Sequence, residues 1–466
     1  MTVSETAAPT VAAAAVSKRR LTIGLCVNVV AIAFETIAVA TAMPVAAREL
    51  NGLPYYAWSF SLFLIGMLFS TVVAGRLSDR IGPAKPMLAG LIIFLMGLVV
   101  AGTAGHMVQL VAGRLVQGLG SGLLNTAIFV CVAQAYSIVE RPRIFTFIST
   151  AWVLPSFVGP PVSAWITEQF SWHWVFFAVI PLVVFGGLMV LPMLRQMMRA
   201  YVRPEPTEGG ARPAPLWAAG LVALAAAALQ LAGQRLDWVA LGLLAAGIAM
   251  LVIGLPRLMP ACFNRLERGL PAVIGARGFL AGAFVGAEAF VPLMMVEERK
   301  VALVLAGAAL TVGSIGWTTG SWLQSRPWLK IRRDRLITLG CMSLTIGLAG
   351  TGLVALIPAI PYWAVAVAWI FSGLGMGLAT SSTSLAVMTL SEDSEQGRNA
   401  SSLNLSDALG AGLFVGVSGT IFAALHESGN LTVTFGAVLM SMAVVGLLAV
   451  LISLRIGPVE SEFAPH

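Results

Sequence analysis

Gly118-Leu119-Gly120-Ser121-Gly122 returns 255 residues later as Gly373-Leu374-Gly375-Met376-Gly377. The same offset carries Glu140-Arg141-Pro142-Arg143 onto Glu395-Gln396-Gly397-Arg398, and an offset of 246 carries Leu77-Ser78-Asp79-Arg80 onto Leu323-Gln324-Ser325-Arg326. Three blocks matched in chain order mark a parallel internal repeat. The glycines of the first block sit inside long apolar runs, where small residues let helices in a bilayer approach closely.

Those runs occupy most of the 466 residues, of which 58% are apolar and 11% charged. Soluble domains run near 25% charged, so a water-soluble globular protein is excluded, and the mean hydropathy of +0.89 agrees. A spanning helix needs about 20 mostly apolar residues. Hydropathy places fourteen, near 21–47, 55–75, 84–103, 107–136, 143–168, 173–194, 217–234, 238–256, 273–296, 301–321, 336–356, 362–389, 399–425 and 431–455. The predicted fold is an all-α integral membrane protein of 14 transmembrane helices: two six-helix bundles related by the parallel repeat, plus a two-helix insert. The expected organisation is a cytoplasmic tail over 1–20, an N-terminal bundle over 21–194, a Pro/Gly-rich linker over 195–216, the insert over 217–256, a loop over 257–269, a C-terminal bundle over 270–455 and a tail over 456–466.

The basic residues test this span count. With alternating sides, 23 fall on one side, Arg277 counted among them, and four on the other (Arg48, Arg235, Arg299 and Lys300), while Arg114 stays inside a span. A miscounted span would have mixed the two sets, so both termini are expected in the cytoplasm. The net charge of +7 is thus spread over short loops and does not indicate nucleic acid. The four cysteines share no external loop and the four histidines lie far apart, so neither a disulfide nor a metal site is expected. Lys18-Arg19-Arg20 flanks the first span, with residues 1–17 read as a disordered tail rather than a cleaved signal. The excess of arginine over lysine, 24 to 4, suggests a bacterial source.

Charged groups inside spans are costly and mark function by default. Arg114, Gln117, Ser121 and Asn125 share one helical face at spacings of 3, 4 and 4. Three acids also lie within spans: Glu35, Glu288 and Asp407, with Asn404 one turn before the last. The repeat aligns Asp407 with Trp152 and Arg114 with Trp369, so neither charge is duplicated. Three acids against Arg114 would favour a cationic or neutral substrate. No phosphate-binding loop or nucleophile constellation is visible, so no cofactor is expected and the chain reads as a non-enzyme driven by an ion gradient.

Four motifs carry a family resemblance that covers nearly all of 21–455. Gly75-Arg76-Leu77-Ser78-Asp79-Arg80-Ile81-Gly82-Pro83-Ala84-Lys85 resembles G-x-L-x-D-R-x-G-x-x-K of the major facilitator superfamily. Arg114-Leu115-Val116-Gln117-Gly118-Leu119-Gly120 is similar to R-x-x-Q-G-x-G of its proton-driven antiporters. Gly159-Pro160-Pro161-Val162-Ser163-Ala164 resembles the antiporter signature G-P-x-x-G-G, with Ser163 and Ala164 in place of two glycines. Glu35 through Pro44 is similar to D-x-T-I-V-N-V-A-L-P of fourteen-helix drug:proton antiporters, with glutamate for aspartate.

The resemblance implies a monomeric exporter of small lipophilic compounds, in exchange for protons, in a bacterial inner membrane. It implies proton coupling through Glu35, Arg114, Asp407 and Glu288, and a substrate cavity lined by Gln117, Ser121, Asn125, Trp152 and Asn404. Gly75, Asp79, Arg80 and Gly82 would form a gating loop that latches the bundles together, one-sided because Ser325 replaces the acid in the second half; Gly159 and Pro160 would form the antiporter motif. A lipid or glycolipid exporter, an uptake symporter and a receptor with a transporter-like body are the other readings.

Overall fold

A computed structural model describes residues 8–137, 139–201, 215–235, 237–260, 262–326, 328–392, 395–426 and 429–459. The linker interior and the outermost parts of both tails therefore lie outside the described residues. Among the described residues, fourteen helices are long and apolar enough to cross a membrane. Spans 1 to 7 are Lys18–Glu49, Leu53–Ile81, Ala84–Gly102, Met107–Ala135, Arg143–Gln169, His173–Arg199 and Leu216–Gly233. Spans 8 to 14 are Trp238–Arg257, Leu270–Glu297, Leu303–Gln324, Arg333–Leu356, Ala364–Leu390, Gln396–His426 and Leu431–Ser453. The first helix begins earlier than expected, at Ala8, so helix replaces the expected disordered tail over 8–17. The alanine run there has the highest intrinsic helix propensity.

The repeat is legible as packing. Span 1 packs on spans 5 and 6, span 2 on 4 and span 3 on 4; in the second half, span 9 packs on 13 and 14, span 10 on 12 and span 11 on 12. The glycine blocks explain the closeness of one matched pair. A Cβ added at Gly118 would strike the Phe63 carbonyl of span 2, and one at Gly373 would strike the Gly313 carbonyl of span 10. Both bundles thus use backbone-to-backbone contact at the same place. Where the repeat sets Trp369 against Arg114, the indole is buried and stacks on Phe284 at 5.2 Å. An aromatic wedge occupies in one bundle the position that a charge occupies in the other.

Both described ends of the chain lie on one face, here the tail face; the other is the far face. Three spans that start on the far face are capped by side chains: His106 Nδ1 accepts from Gln109 N at 3.2 Å, Asp237 Oδ1 from Ala240 N at 3.1 Å and Asn430 Oδ1 from Val433 N at 3.1 Å. These caps satisfy first-turn donors that would otherwise be orphaned. The insert packs through span 7, which touches both span 2 and span 13. Trp58 Nε1 donates to Gln234 Oε1 at 2.6 Å beside it.

The bundles meet where spans 2 and 13, and spans 5 and 10, run together. The described bridges between them run from the far face to the middle of the spans. Arg48 pairs with Glu297, the Tyr56 hydroxyl donates to Ala289 O at 2.6 Å, and the Ser314 and Thr311 hydroxyls donate to Ser156 O and Phe157 O at 3.0 and 3.4 Å. Gly307 is so close that a Cβ there would lie 3.0 Å from Pro160 O. The structure is therefore shut at the far face.

Candidate functional site

Span 1 and span 4 bring Glu35 and Arg114 into an ion pair with side chains 0% and 2% exposed. Arg114 Nε also donates to Ser59 O of span 2 at 2.9 Å and its NH1 to Gln117 Oε1 at 2.9 Å, while its guanidinium lies 4.3 Å from the Phe63 ring centre. One arginine thus ties three helices. Its charge is compensated by a carboxylate, a carbonyl, an amide and an aromatic face, which is what a cation inside a bilayer requires. Glu35 is less well served: its Oε2 is buried with no partner. Gln117 Nε2 and Ser121 Oγ are buried and unpartnered as well. A carboxylate with one oxygen bound and one bare is chemically a place where a proton can be added without breaking the existing bond.

A second pair was not foreseen. Arg277, expected among the tail-face loop residues, lies inside span 9 and pairs with Asp407 of span 13. It also donates to Thr380 O at 2.9 Å and Thr383 Oγ1 at 3.3 Å, both on span 12. The count of charges in the interior of the spans is corrected accordingly: Glu35, Glu288 and Asp407 face two arginines, Arg114 and Arg277, not one. An early position in an apolar run reads as a flank, and only the tertiary pairing shows otherwise.

The remaining sequence-picked residues fall into two sets. A Cβ added at Gly159 would meet Ile37 Cγ2 and Phe34 Cδ2 at ordinary distances of 3.6 and 3.8 Å, one residue before Pro160, whose carbonyl faces Gly307. The antiporter motif therefore touches span 1 on both sides of Glu35 and span 10 across the bundle interface. Ser163 shows why a glycine can be replaced here: its hydroxyl donates to Ala38 O of span 1 at 2.6 Å. Glu288 ends the first helix of span 9, just before the break at Ala289–Phe290, half-buried and without a described hydrogen bond. Asn125 is half-buried, whereas Asn404 and Trp152 are exposed, and no described bond joins any of them to the Glu35–Arg114 cluster.

In the gating loop, Gly82 has φ of +78°, a left-handed conformation that favours glycine, and the Tyr201 ring would lie 2.7 Å from a Cβ there. The Tyr201 hydroxyl donates to Asp79 O at 2.9 Å. Tyr201 thus seats the loop from the end of span 6, a role with no sequence signal. The Asp79 and Arg80 side chains are exposed, and a Cβ at Gly75 would meet nothing within 4 Å. Among the described residues no cluster of three or more His, Cys, Asp or Glu could hold a metal ion.

With this geometry in place, the comparisons with known proteins are specific. Residues 23–343 match the Major Facilitator Superfamily, and the chain belongs to that family; it is a transporter and not an enzyme. It is 25% identical over 341 residues to "Multidrug resistance protein 3" of Bacillus subtilis (strain 168), covering 71% of this chain and 66% of that protein. It is 22% identical to "Multidrug efflux pump SdrM" of Staphylococcus aureus (strain N315), covering 89% and 92%. The match to "Multidrug transporter protein MdtP" of Bacillus subtilis, 28% identical, spans 37% of this chain and 32% of that relative. Several of these matches thus span less than two thirds of the relative's own length. Among solved structures, a POT family transporter in complex with thioalcohol conjugated peptide superposes with a TM-score of 0.69 at 16% identity, over 94% of this chain and 97% of that one, which is a likeness of fold.

Proposed function

We propose that this chain is a proton-coupled antiporter that exports small lipophilic compounds, cationic or neutral, across a bacterial cytoplasmic membrane by alternating access of its two bundles. The observation that carries the reading is Glu35, a buried carboxylate with one oxygen on Arg114 and the other unpartnered. Protonation at the free oxygen would remove the carboxylate's charge and weaken its hold on Arg114, which keeps its bonds to Ser59 O and Gln117 Oε1. Gly159-Pro160 touches span 1 beside Glu35 and touches span 10 across the interface, so a shift at the pair has a short route to the seam between bundles. The names of the multidrug relatives support the substrate class, as does a surplus of one acid among the charges in the interior of the spans.

With Arg277 set aside inside span 9, the 22-to-4 distribution of the remaining basic residues supports a cytoplasmic tail face and cytoplasmic termini. On that reading this state opens inward, and the loop over Gly75–Gly82, with Asp79 and Arg80, would close against the second bundle in the opposite state. The protein would work as a monomer. A hundredfold gradient needs about 2.7 kcal/mol and one charge across 100 mV supplies about 2.3 kcal/mol, so one or two protons per neutral substrate suffice once a modest pH difference is added.

The test uses inverted membrane vesicles, acid inside and loaded with a pH-sensitive dye. Lipophilic cations and neutral antibiotics should evoke proton release from wild type and none from Glu35→Gln, with that variant folded by its melting curve. Undiminished substrate-evoked release by Glu35→Gln would remove Glu35 from the coupling.

A further inference from the structure

We infer that the tail-face end of span 6 is a binding site for the headgroup of an anionic glycerophospholipid, built by Arg195 and Arg199. Phe185, Leu188, Pro192, Arg195 and Arg199 follow one another at spacings of 3, 4, 3 and 4, the period of a single helical face. All five are exposed. The opposite face is packed: Val190 lies against Gly24, and Gly186 against Asn28, both of span 1. The exposed stripe therefore runs from apolar side chains at acyl-chain depth to two arginines at the membrane boundary.

At that boundary the surface opens into a cleft of about 520 Å³ lined by Pro192, Arg195, Gln196 and Arg199. Neither arginine makes a described hydrogen bond or ion pair, and the two stand one turn apart on the same face. Two guanidinium groups so placed present donors to a single phosphodiester, with Gln196 amide beside them. Pro192 has no N–H, so the Leu188 carbonyl one turn below loses the amide that would ordinarily satisfy it. Phosphate and acyl chain are thus met in the order in which an anionic glycerophospholipid presents them from the membrane boundary inward.

The second bundle supplies an internal comparison. The tail-face ends of spans 11 and 14 form a cleft of about 480 Å³ that includes Arg332, Asp334 and Arg335. There Asp334 accepts from Arg332 at 3.0 and 2.7 Å and from Val459 N at 3.2 Å, so an acid stands where the headgroup phosphate would lie. The span 6 cleft has no acid among its lining residues, and of these two clefts it is the one that suits an anion. A headgroup held there would sit two residues from Tyr201, which seats the gating loop.

The test is binding to the full chain purified in a neutral maltoside detergent, titrated with phosphatidylglycerol, phosphatidylcholine or inorganic phosphate and followed by melting temperature and native mass spectrometry. Phosphatidylglycerol should bind and raise the melting temperature, while the other two should not. Arg195→Gln with Arg199→Gln should weaken that binding about thirtyfold, since each basic residue at such a surface contributes about a factor of five. The double lysine variant should retain most of it, and Arg335→Gln should leave it unchanged. Equal binding of phosphatidylcholine, an equal shift from inorganic phosphate, or undiminished phosphatidylglycerol binding by the double glutamine variant would each overturn the assignment. The readout is binding, so it stands or falls apart from proton coupling.

Discussion

Each bundle holds an arginine–carboxylate pair inside its helices, and the two pairs live in different surroundings. Glu35 and Arg114 are 0% and 2% exposed, whereas Arg277 and Asp407 are 11% and 36% exposed. Both arginines stand seven residues into their spans, about 10 Å by helical rise, but from opposite ends: Arg114 from Met107 on the far face, Arg277 from Leu270 on the tail face. The far face is where Arg48–Glu297 and Tyr56 bridge the bundles. A pair near the bridged end loses its water, and a pair near the other end keeps some. The dryness of the Glu35 site therefore follows from which end of the molecule is shut, not from the residue types in it.

This contrast can be broken or sharpened by substitution. The largest effect is expected for Arg114→Ala, which strands a buried carboxylate and should cost about 3–5 kcal/mol of stability, read as a lowered melting temperature in detergent. Arg277→Ala should cost only about 1 kcal/mol, because water can take over the exposed carboxylate of Asp407; equal losses for the two would end the distinction. Ser163→Ala, which removes the bond to Ala38 O next to the Glu35 helix, should also cost about 1 kcal/mol. It is expected to alter substrate-evoked proton release, a readout that Arg277→Ala should move less.

The smallest effect belongs to a surface ion pair between Glu140, outside the spans, and Lys18 at the first residue of span 1. Glu140 accepts from Ser137 N at 2.9 Å, from Lys18 Nζ at 3.0 and 3.1 Å and from Ser137 Oγ at 3.0 Å. The backbone N–H first, then Lys18, hold its pKa down at about 2 against an ordinary 4.5. A depressed carboxyl pKa stabilises the fold above the ordinary value and loses that contribution as pH falls from 4.5 toward 2. The melting difference between wild type and Glu140→Gln should accordingly be constant above pH 5 and shrink steadily below it. A difference that grew on acidification would contradict the pairing.

Much of the fold could be read from residues alone because it rests on local signals. Apolar length marks each helix, the charge bias counts them, and the glycine block announces a contact that Gly118 and Gly373 both make. Glu35 and Arg114 were also legible, since a charge amid apolar residues has few explanations. What escaped was pairing across helices. Arg277 carries no local mark distinguishing it from a flanking arginine, and its partner Asp407 is 130 residues away. Ser163 looked like a lost glycine until its hydroxyl was seen on span 1. Tyr201 lies at the end of a helix with nothing in its neighbourhood to suggest Asp79.

The insert of spans 7 and 8 has a consequence for how such chains can evolve. It is spliced at the junction of the two repeats, and span 8 buries little of itself against the rest. A hairpin of two helices returns the chain to the face it left, so the downstream bundle keeps its sidedness and its basic loops stay where they were. One helix added at the same point would have turned the second half upside down. Insertions at this junction are thus restricted by parity, and the seam between duplicated halves is the place where a pair of helices can be gained or lost with the least disturbance to either half.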